Sequence, residues 1–447
     1  MRVIDTVAEL RSECQRRRNK LEARVLPIPL SDLRYWSMTE EGSLSHHTGR
    51  FFRVIGARVE DPSGSGRMLE QPIVDQPEVG VLCLFVTVIE GSYHGLVTFK
   101  FEPGTPDGIE VAPSVQATRS NYEAAHGGAH VSAVGLALSE TCTTLADTVQ
   151  REQEAWFLGK VNRNRIVLLD ADDADSVNSS IPDSYWVPIP ALLAGTLQSR
   201  LINMDLRSVL SMWPLDALPG IGGDSEPAGR TPTVPTPDPG PDEHVERDET
   251  LGTSPELVPL DSLLNWELSD SLEHRYRRFF AIVGCRVEGQ NREKESWDQP
   301  LLAPMGMGQC SLLLRTGEKG LEMLVAERVR IGSVQGPTLE PTHQRGDVAD
   351  YTTAARRVSM VAEAADLVDC GSVYSVVHAE EGGRFRGAIV SYQIGFLVDE
   401  GVHERAGRWV PLEEIESLNR NGNYLSVELR TSLVMLKGIV SAESIEA

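Results

Sequence analysis

The sequence predicts an α+β protein made of two tandem copies of one domain, each a mixed β-sheet flanked by helices. Three observations lead to this prediction. The chain has 447 residues, more than one hydrophobic core usually organises. Residues 219–255 are rich in Pro, Gly and acidic residues and contain almost nothing apolar to anchor a fold, which is typical of an extended linker. The segments on the two sides of this linker repeat one another.

The repeat is visible as a constant offset between identical residues. RFFRVIGARVE begins at Arg50 and RFFAIVGCRVE at Arg278, an offset of 228 positions, the difference between 278 and 50. The same offset relates His46 to His274, Gln71 to Gln299, Gly80 to Gly308, Pro113 to Pro341, Gln116 to Gln344, Glu152 to Glu380 and Phe157 to Phe385. This agreement indicates an internal duplication. We therefore predict an N-terminal helical arm (1–30), a first repeat (31–218), the linker (219–255) and a second repeat (256–447).

The elements of each copy follow from local patterns. The N-terminal 26 residues interleave charged and apolar side chains, which favours an exposed or partner-facing helix. FFRVIGARV, GVLCLFVTVI, HGLVTFKFE and RIVLLDA have the β-branched and aromatic character of strands. TTLADTVQREQEAWFLG places Leu145, Val149 and Trp156 near helical spacing, and the basic, amide-rich KVNRNRIV after it is interpreted as a loop. NMDLRSVL and LRTSLVML predict short terminal helices.

Composition narrows the classes of partner and compartment. The formal net charge of −23 argues against nucleic acid and anionic membrane surfaces as partners. No apolar run is long enough for a membrane span or a signal peptide, so a cytoplasmic protein is expected. The six cysteines include no CxxC pair, which favours reduced thiols.

The stretch VAPSVQATRSNYEAAHGG, residues 111–128, has neither strand nor helix periodicity after Val115. Around residues 345–356 of the second copy it is replaced by RGDVADYTTAAR, and KVNRNRIV is likewise matched by IVSYQ. Polar groups that served folding alone should occur in both copies. We therefore predict that the first copy holds the working site and that the pocket of the second copy is vestigial.

These segments resemble the NDP-hexose 2,3-dehydratases, enzymes of deoxysugar biosynthesis for glycosylated natural products. The resemblance is carried by HGLVTFKFEPG, PSVQATRSNYEAAHGG, REQEAWFLGKVNRN and NMDLRSVL in the first half, and by WDQP and EEGGRF in the second. It implies two Nudix-like domains, a homodimer, and a dTDP-linked (or other NDP-linked) 4-keto-6-deoxyhexose as substrate. The implied reaction removes the C2 hydroxyl and makes C3 a carbonyl, and a separate 3-ketoreductase would act on the product.

The resemblance also bears on metals and cofactors. REQEAWFLG, from Arg151, has the Arg-Glu of a Nudix metal box but lacks its paired glutamates. No metal is therefore expected, and metal-dependent nucleotide-sugar hydrolysis is the disfavoured alternative. No redox cofactor is expected either, because the enol product tautomerises to a diketone. A non-catalytic nucleotide-sugar-binding protein is the remaining alternative.

The reaction needs a base for the C3 proton, donors for the enolate oxygen and an acid for the leaving hydroxyl. The candidate catalytic residues are His126, Tyr122, Lys100, Glu102 and Glu152. His126 titrates near neutrality and precedes two glycines. Lys100 and Glu102 face one side of a strand. The alternatives are a surface-loop histidine, a tyrosine packed by its ring and an exposed salt-bridged strand face.

The candidate substrate-binding residues supply amide, hydroxyl and basic groups. They are Gln116, Thr118, Arg119, Ser120, Asn121, Lys160, Asn162, Arg163 and Asn164. Arg119 has the fork geometry for a diphosphate, with Lys160 and Arg163 as further positive charge. The alternative for the last group is a solvated turn between a helix and a strand. Trp36 and Trp266 occupy matching positions that suit either base stacking or core packing, of which core packing is favoured.

Overall fold

The computed structural model describes residues 1–49, 51–60, 66–118, 133–214, 254–289, 296–318, 320–345, 370–397 and 407–446. We call the described residues up to 214 the first half and those from 254 the second half. In the described residues the α-helices are α1 (Val7–Arg18), α2 (Val134–Ala137), α3 (Ala171–Ser180), α4 (Ile189–Gly195), α5 (Met204–Leu210), α6 (Leu412–Asn421) and α7 (Val427–Glu446). Short 3₁₀ helices cover Leu30–Asp32 and Leu260–Ser262.

Strands are the main regular elements of the described residues. The first half contributes β1 (Arg24–Ile28), β2 (Trp36–Met38), β3 (Leu44–His46), β4 (Arg53–Glu60), β5 (Met68–Asp75), β6 (Gly80–Ile89), β7 (Ser92–Phe101), β8 (Ile109–Ala112), β9 (Val115–Ala117), β10 (Thr143–Arg151), β11 (Val161–Leu168) and β12 (Tyr185–Pro188). The second half contributes β13 (Glu256–Val258), β14 (Trp266–Leu268), β15 (Leu272–His274), β16 (Phe280–Glu288), β17 (Ser296–Pro304), β18 (Gly308–Gly317), β19 (Gly320–Arg328), β20 (Thr338–Pro341), β21 (His343–Arg345), β22 (Cys370–Ala379), β23 (Ile389–Leu397) and β24 (Arg408–Pro411).

One strand order occurs twice among the described residues. The larger sheet of the first half has the order β10-β11-β6-β7-β12, with β8 on β7 and β9 on β6. The larger sheet of the second half has the order β22-β23-β18-β19-β24, with β20 on β19 and β21 on β18. In each, a parallel pair (β6 with β11, β18 with β23) lies among antiparallel neighbours. The predicted α+β class with mixed sheets is confirmed.

The two smaller sheets exchange strands between the halves. β13 of the second half pairs with β4, and β1 of the first half pairs with β16. Gly56 and Gly284 permit the close approach: an added Cβ would lie 2.6 Å from Val258 O at the first position and 2.5 Å from Ile28 O at the second. The two halves are therefore interlocked.

A shared apolar core lies between these smaller sheets. Trp36, Trp156, Trp266, Phe280 and Phe385 all belong to it, so both halves contribute to one cluster. Trp36 and Trp266 are 7% and 6% exposed, and the favoured core-packing interpretation of both tryptophans is confirmed.

Two local predictions in the first half are wrong. The segment expected to be a helix forms strand β10, because Leu145 and Val149, four residues apart, share one side of a strand as readily as one face of a helix. The segment KVNRNRIV is not a loop, since residues from Val161 onward form β11. The sequence did not indicate this strand because its side chains are polar. Their neighbours lie across the hairpin on β10.

The N-terminal helix is partly buried. Thr6 and Glu9 form a capping box that starts α1, as the spacing of a hydroxyl and a glutamate three residues apart allows. Leu10 and Cys14 are buried, and Val7 and Leu21 pack against the same core. The helix α1 is therefore exposed on its polar side, as one of the two predicted alternatives states, whereas this chain itself covers its apolar side.

The terminal helices differ in length from one another. NMDLRSVL forms the short α5 as predicted, whereas the segment that contains LRTSLVML lies within α7, a helix of 20 residues. In the described part of the chain, no helix combines the length and the apolar character that a membrane crossing requires.

Candidate active site

The end of strand β7 carries one pair of predicted catalytic residues. Lys100 lies in β7 and Glu102 just beyond it, and the two side chains share one side because alternate strand residues point the same way. Lys100 Nζ lies 3.1 Å from Glu102 Oε1, and the two side chains are 26% and 7% exposed. The pair is therefore sheltered, unlike an exposed salt-bridged strand face.

Glu102 is held by donors from separate parts of the chain. Gln116 Nε2 donates to Glu102 Oε1 at 2.9 Å, and the backbone N–H of Gly382, from the second half, donates to Oε2 at 3.1 Å. Gln116 Oε1 accepts in turn from Asn203 Nδ2 at 3.1 Å. Asn203 is the N-cap of α5 and accepts from the N–H of Leu206. The orientation of Glu102 thus depends on both halves.

A second polar group lies where β10 ends and β11 begins. Asn162 Nδ2 donates to Glu152 Oε1 at 2.7 Å, and Lys160 Nζ donates to Asn162 Oδ1 at 3.0 Å. Lys160 also donates to the backbone carbonyls of Glu78 and Val161. Burial lowers the pKa of Lys160 to about 8, although the carboxylate of Glu152 opposes the shift. A lysine in this setting loses its proton more readily than an exposed one.

Arg163 and Asn164 point to opposite sides of β11. Asn164 Nδ2 donates to Gln150 Oε1 at 2.6 Å, on the side that Asn162 shares. Arg163 Nε and Nη2 donate to the two carboxylate oxygens of Asp147 at 2.9 and 2.7 Å. Asn164 is therefore on the side of the Asn162 group, and Arg163 is not.

Sequence reasoning missed an aspartate in this region. Asp205 lies in the first turn of α5 and is 4% exposed. Burial, followed by the negative charges of Glu152, Glu102 and Glu381, raises its pKa well above the usual value. The four carboxyl groups thus share one electrostatic environment. A carboxylate inside the otherwise apolar-faced NMDLRSVL was the signal that could have identified Asp205.

Glu381 was also missed, because it comes from the second half. It lies in the EEGGRF segment, between β22 and β23. Burial raises its pKa to about 7; Arg384 and Lys100 oppose the shift, and Glu102 and Glu152 reinforce it. A carboxyl of this kind is poised for proton transfer near neutral pH.

Glu110 is the third acidic residue that sequence reasoning missed. It lies opposite Lys100 on the neighbouring strand β8 and is 3% exposed. Burial raises its pKa to about 8; Arg207 opposes this shift and Glu102 reinforces it. Among the described residues no group donates to its Oε1. The Lys100–Glu102 pair therefore has a buried carboxyl group, that of Glu110, on the neighbouring strand.

Several predicted site residues cannot be placed beside these groups. Arg119, Ser120, Asn121, Tyr122 and His126 lie outside the described residues. Thr118 is the last described residue before them and is partly exposed; it follows β9, which pairs with β6.

The segment that would hold a Nudix metal box has protein partners instead. Glu152 accepts from Asn162, and Glu154 lies 3.4 Å from Arg151 Nη1 and accepts from Ser333 Oγ at 2.8 Å. Within the described ranges, no group of three or more His, Cys, Asp and Glu side chains could hold a metal ion.

The matching strand end of the second half carries different chemistry. Arg328 and Arg330 stand at the offset positions of Lys100 and Glu102. Arg330 Nε donates to Glu340 Oε1 at 2.8 Å, and its Nη2 donates to the other oxygen. An arginine–carboxylate pair thus occupies the place of the lysine–glutamate pair.

Burial shifts the pKa values of Lys160, Glu110, Asp205 and Glu381, and acid–base enzymes use groups of these kinds. The family model described as NDP-hexose 2,3-dehydratase matches residues 7–213 and 245–436. The chain belongs to this family of enzymes, as the sequence resemblance predicted.

Curated relatives agree over nearly the whole chain. Three proteins, each named dTDP-4-dehydro-6-deoxy-alpha-D-glucopyranose 2,3-dehydratase, are 32% identical to it. The match with the protein from Amycolatopsis orientalis covers 96% of this chain and 89% of the relative. For Streptomyces violaceoruber the shares are 93% and 93%, and for Saccharopolyspora spinosa 94% and 89%. The chain is an NDP-hexose 2,3-dehydratase of deoxysugar biosynthesis by family.

Proposed function

We propose that this enzyme removes the C2 hydroxyl of dTDP-4-keto-6-deoxyglucose and yields a dTDP-linked 3,4-diketo-2,6-dideoxy sugar. The substrate is the one that the names of its relatives state. The observation that carries the proposal is the sheltered Lys100–Glu102 pair, with Glu152, Lys160 and Asp205 in the same environment. Proton transfer α to a ketone needs groups of these kinds.

The chemistry assigns work to two kinds of group. The C4 ketone acidifies the C3 proton, which a base removes, and cationic donors stabilise the enolate oxygen. We propose Lys100 as that cationic donor, and Glu102 or Glu152 as the base because both are carboxylates held by protein donors. His126 and Tyr122 remain candidates for proton transfer.

We propose that Gln116, Thr118, Arg119, Ser120 and Asn121 bind the nucleotide sugar as one continuous run. Gln116 supports this proposal, because it bonds Glu102 directly and would link binding to chemistry. Lys160, just before β11, and Asn162 and Asn164 of β11 are proposed to bind or orient substrate. Arg163 is also proposed to bind substrate, although its guanidinium already pairs with Asp147.

We propose the domain boundaries given by the sequence, with a Nudix-like fold for each repeat. Matching contacts support the duplication: Gln71 Nε2 donates to Ala155 O at 2.7 Å, and Gln299 Nε2 donates to Gly383 O at 2.8 Å. The Arg330–Glu340 pair supports a vestigial pocket in the second repeat, because it ties up the groups that would face a substrate. A calorimetric titration with dTDP would test this by its stoichiometry.

We further propose a cytoplasmic homodimer whose product is consumed by a separate 3-ketoreductase. Leu264 and Tyr276, which are 76% and 63% exposed, offer apolar surface for a second copy. Sedimentation at micromolar concentration tests the dimer, and a monomer there would contradict it.

The proposed reaction is tested by incubating the enzyme with dTDP-4-keto-6-deoxyglucose. Proton NMR in D₂O follows exchange at C3, and o-phenylenediamine traps the diketone as a quinoxaline. We expect both signals, and we expect EDTA to leave them unchanged. Release of a sugar phosphate that EDTA abolishes and magnesium restores would favour the hydrolase alternative. Binding without exchange or elimination would favour the non-catalytic one.

A further inference from the structure

The loop between β22 and β23 belongs to the second half but is fixed to the first-half site. The N–H of Gly104 donates to Gly382 O at 2.7 Å, and the N–H of Gly387 donates to Gly104 O at 2.8 Å. Gly104 is two residues beyond Glu102. The loop is thus anchored beside the proposed catalytic pair.

Glycine at position 382 makes this approach possible. An added Cβ would lie 2.2 Å from Thr105 Oγ1 and 2.8 Å from Glu102 Cβ. The N–H of Gly382 donates to Glu102 Oε2 at 3.1 Å. Glu381 immediately precedes this donor, and its carboxyl group interacts electrostatically with Lys100, Glu102 and Glu152 of the first half.

Access distinguishes Glu381 from Asp205 and from Glu110, which is 3% exposed and also has a raised pKa. Glu381 is half-buried, and its Oε1 accepts from the N–H of Gly383 at 3.1 Å. Asp205 is 4% exposed. A group that delivers a proton to a substrate must be reachable by that substrate, which favours Glu381 over Asp205.

We propose that Glu381 is the general acid that protonates the departing C2 hydroxyl. The inference rests on the proposed 2,3-dehydration. After the base has taken the C3 proton, the enolate reforms the C4 carbonyl and its electron pair becomes the C2=C3 bond. The C2–O bond breaks, the proton of Glu381 joins the hydroxyl, and water leaves. Tautomerisation then adds a proton at C2 and removes the one on O3.

The charges around Glu381 suit this role. Burial and its carboxylate neighbours raise its pKa to about 7 although Arg384 opposes this, so near neutral pH it is protonated more often than an exposed glutamate. Glu102 instead accepts from a lysine, an amide and a backbone N–H, which stabilise its carboxylate form. Two carboxyl groups with opposite settings divide the acid and base roles. The charged groups facing Glu381 are Arg384, Glu102, Lys100, Glu152, Asp205 and Lys160.

The test separates exchange from elimination in Glu381→Gln. With dTDP-4-keto-6-deoxyglucose in D₂O, the variant should still exchange the C3 proton, because exchange needs only the base. Its elimination rate should fall by about 10²- to 10⁴-fold, the usual contribution of a general acid. In wild type, kcat/KM should decline as pH rises through the pKa of the acid, and this limb should be missing from the profile of the variant.

Glu380→Gln is the matched control, because it makes the same change one residue earlier. Glu380 is 7% exposed, and its two carboxyl oxygens accept from Tyr392 OH at 3.1 Å and from Gln153. This variant should keep near-wild-type elimination. Glu381→Asp keeps an acid on a shorter side chain, so it should eliminate faster than Glu381→Gln and retain the pH limb.

Defined results would overturn the inference. The first is elimination at the wild-type rate in Glu381→Gln, and the second is an equal loss of exchange and elimination in that variant. The third is that Asp205→Asn, and not Glu381→Gln, exchanges the C3 proton without eliminating water. If Glu381→Gln does not fold, the comparison passes to Glu381→Ala, which also removes the acid. An unchanged elimination rate in that variant would contradict the inference, and slower elimination with retained exchange would support it. A wild-type enzyme that neither exchanges nor eliminates would refute the proposed function, and the inference with it.

Discussion

Arg207 and Arg430 are buried counterparts that each bind a backbone carbonyl of the other half. Arg207 Nη2 donates to Ala379 O at 2.9 Å, and Arg430 Nη2 donates to Arg151 O at 2.8 Å. Each also bonds its own half, through Ile202 O at 2.8 Å and Leu425 O at 2.7 Å. The two arginines therefore join the terminal helices of both halves to the strands that lead into the Glu152 and Glu381 segments.

Replacing Arg207 or Arg430 by Ala should destabilise the whole chain. Each change leaves buried carbonyl oxygens without donors, at about 1–3 kcal/mol for each unsatisfied group. We expect either variant to lose about 3 kcal/mol or more of unfolding free energy, measured by urea denaturation. Arg275→Ala is the control, because that side chain is 44% exposed and forms an ion pair with a surface glutamate, Glu267. Equal midpoints for Arg207→Ala and Arg275→Ala would be inconsistent with the role of the buried pair.

Gly104→Ala should displace the loop that carries Glu381. An added Cβ at this position would lie 1.4 Å from Phe385 O, so the backbone of one segment must move. We expect destabilisation of about 3 kcal/mol in thermal unfolding, together with loss of turnover. Gly135→Ala is the control, because a Cβ there meets nothing within 4 Å. A Gly104→Ala protein that matches wild type in both measurements would show that the two loops are not packed as described.

Glu110 should make stability depend on pH. Its pKa is raised from 4.5 to about 8 in the folded chain, so between these values the folded state binds more protons than the unfolded state. The unfolding free energy therefore falls as pH rises through this window. Glu110→Gln removes this pH dependence. From about pH 5 to pH 8, the unfolding free energy of the variant should therefore rise relative to that of wild type by on the order of 1–3 kcal/mol. Denaturation curves at both pH values provide the measurement, and parallel pH dependence of the two proteins would refute it.

Local sequence patterns were sufficient where neighbouring residues decide the structure. Strands β6 and β7 follow from β-branched and aromatic runs, and the constant offset anticipated the repeated contacts of Gln71 and Gln299. The error at β10 arose because residues four apart share a side in both a helix and a strand, so Leu145 and Val149 could not distinguish the two.

Contacts between the halves were beyond local patterns. The residues of β1 do not indicate that it pairs with β16 of the second half, and those of β13 do not indicate that it pairs with β4 of the first half. For the same reason Glu381 was missed, because its loop belongs to the second half but is fixed to Gly104 of the first half. The identification of Lys100 and Glu102 as a same-side pair succeeded because strand alternation alone determines it.

The most direct test of the account compares Lys100→Met with Arg328→Met, the same change at offset positions of the two halves. The measurement is the initial rate of quinoxaline formation from dTDP-4-keto-6-deoxyglucose at saturating substrate. If the first-half site carries the reaction, Lys100→Met should lose about 10²-fold or more of the rate, because a donor to the enolate is gone. Arg328→Met should stay within about twofold of wild type. The reverse pattern, an active Lys100→Met and an inactive but folded Arg328→Met, would contradict the account and place the chemistry in the second half.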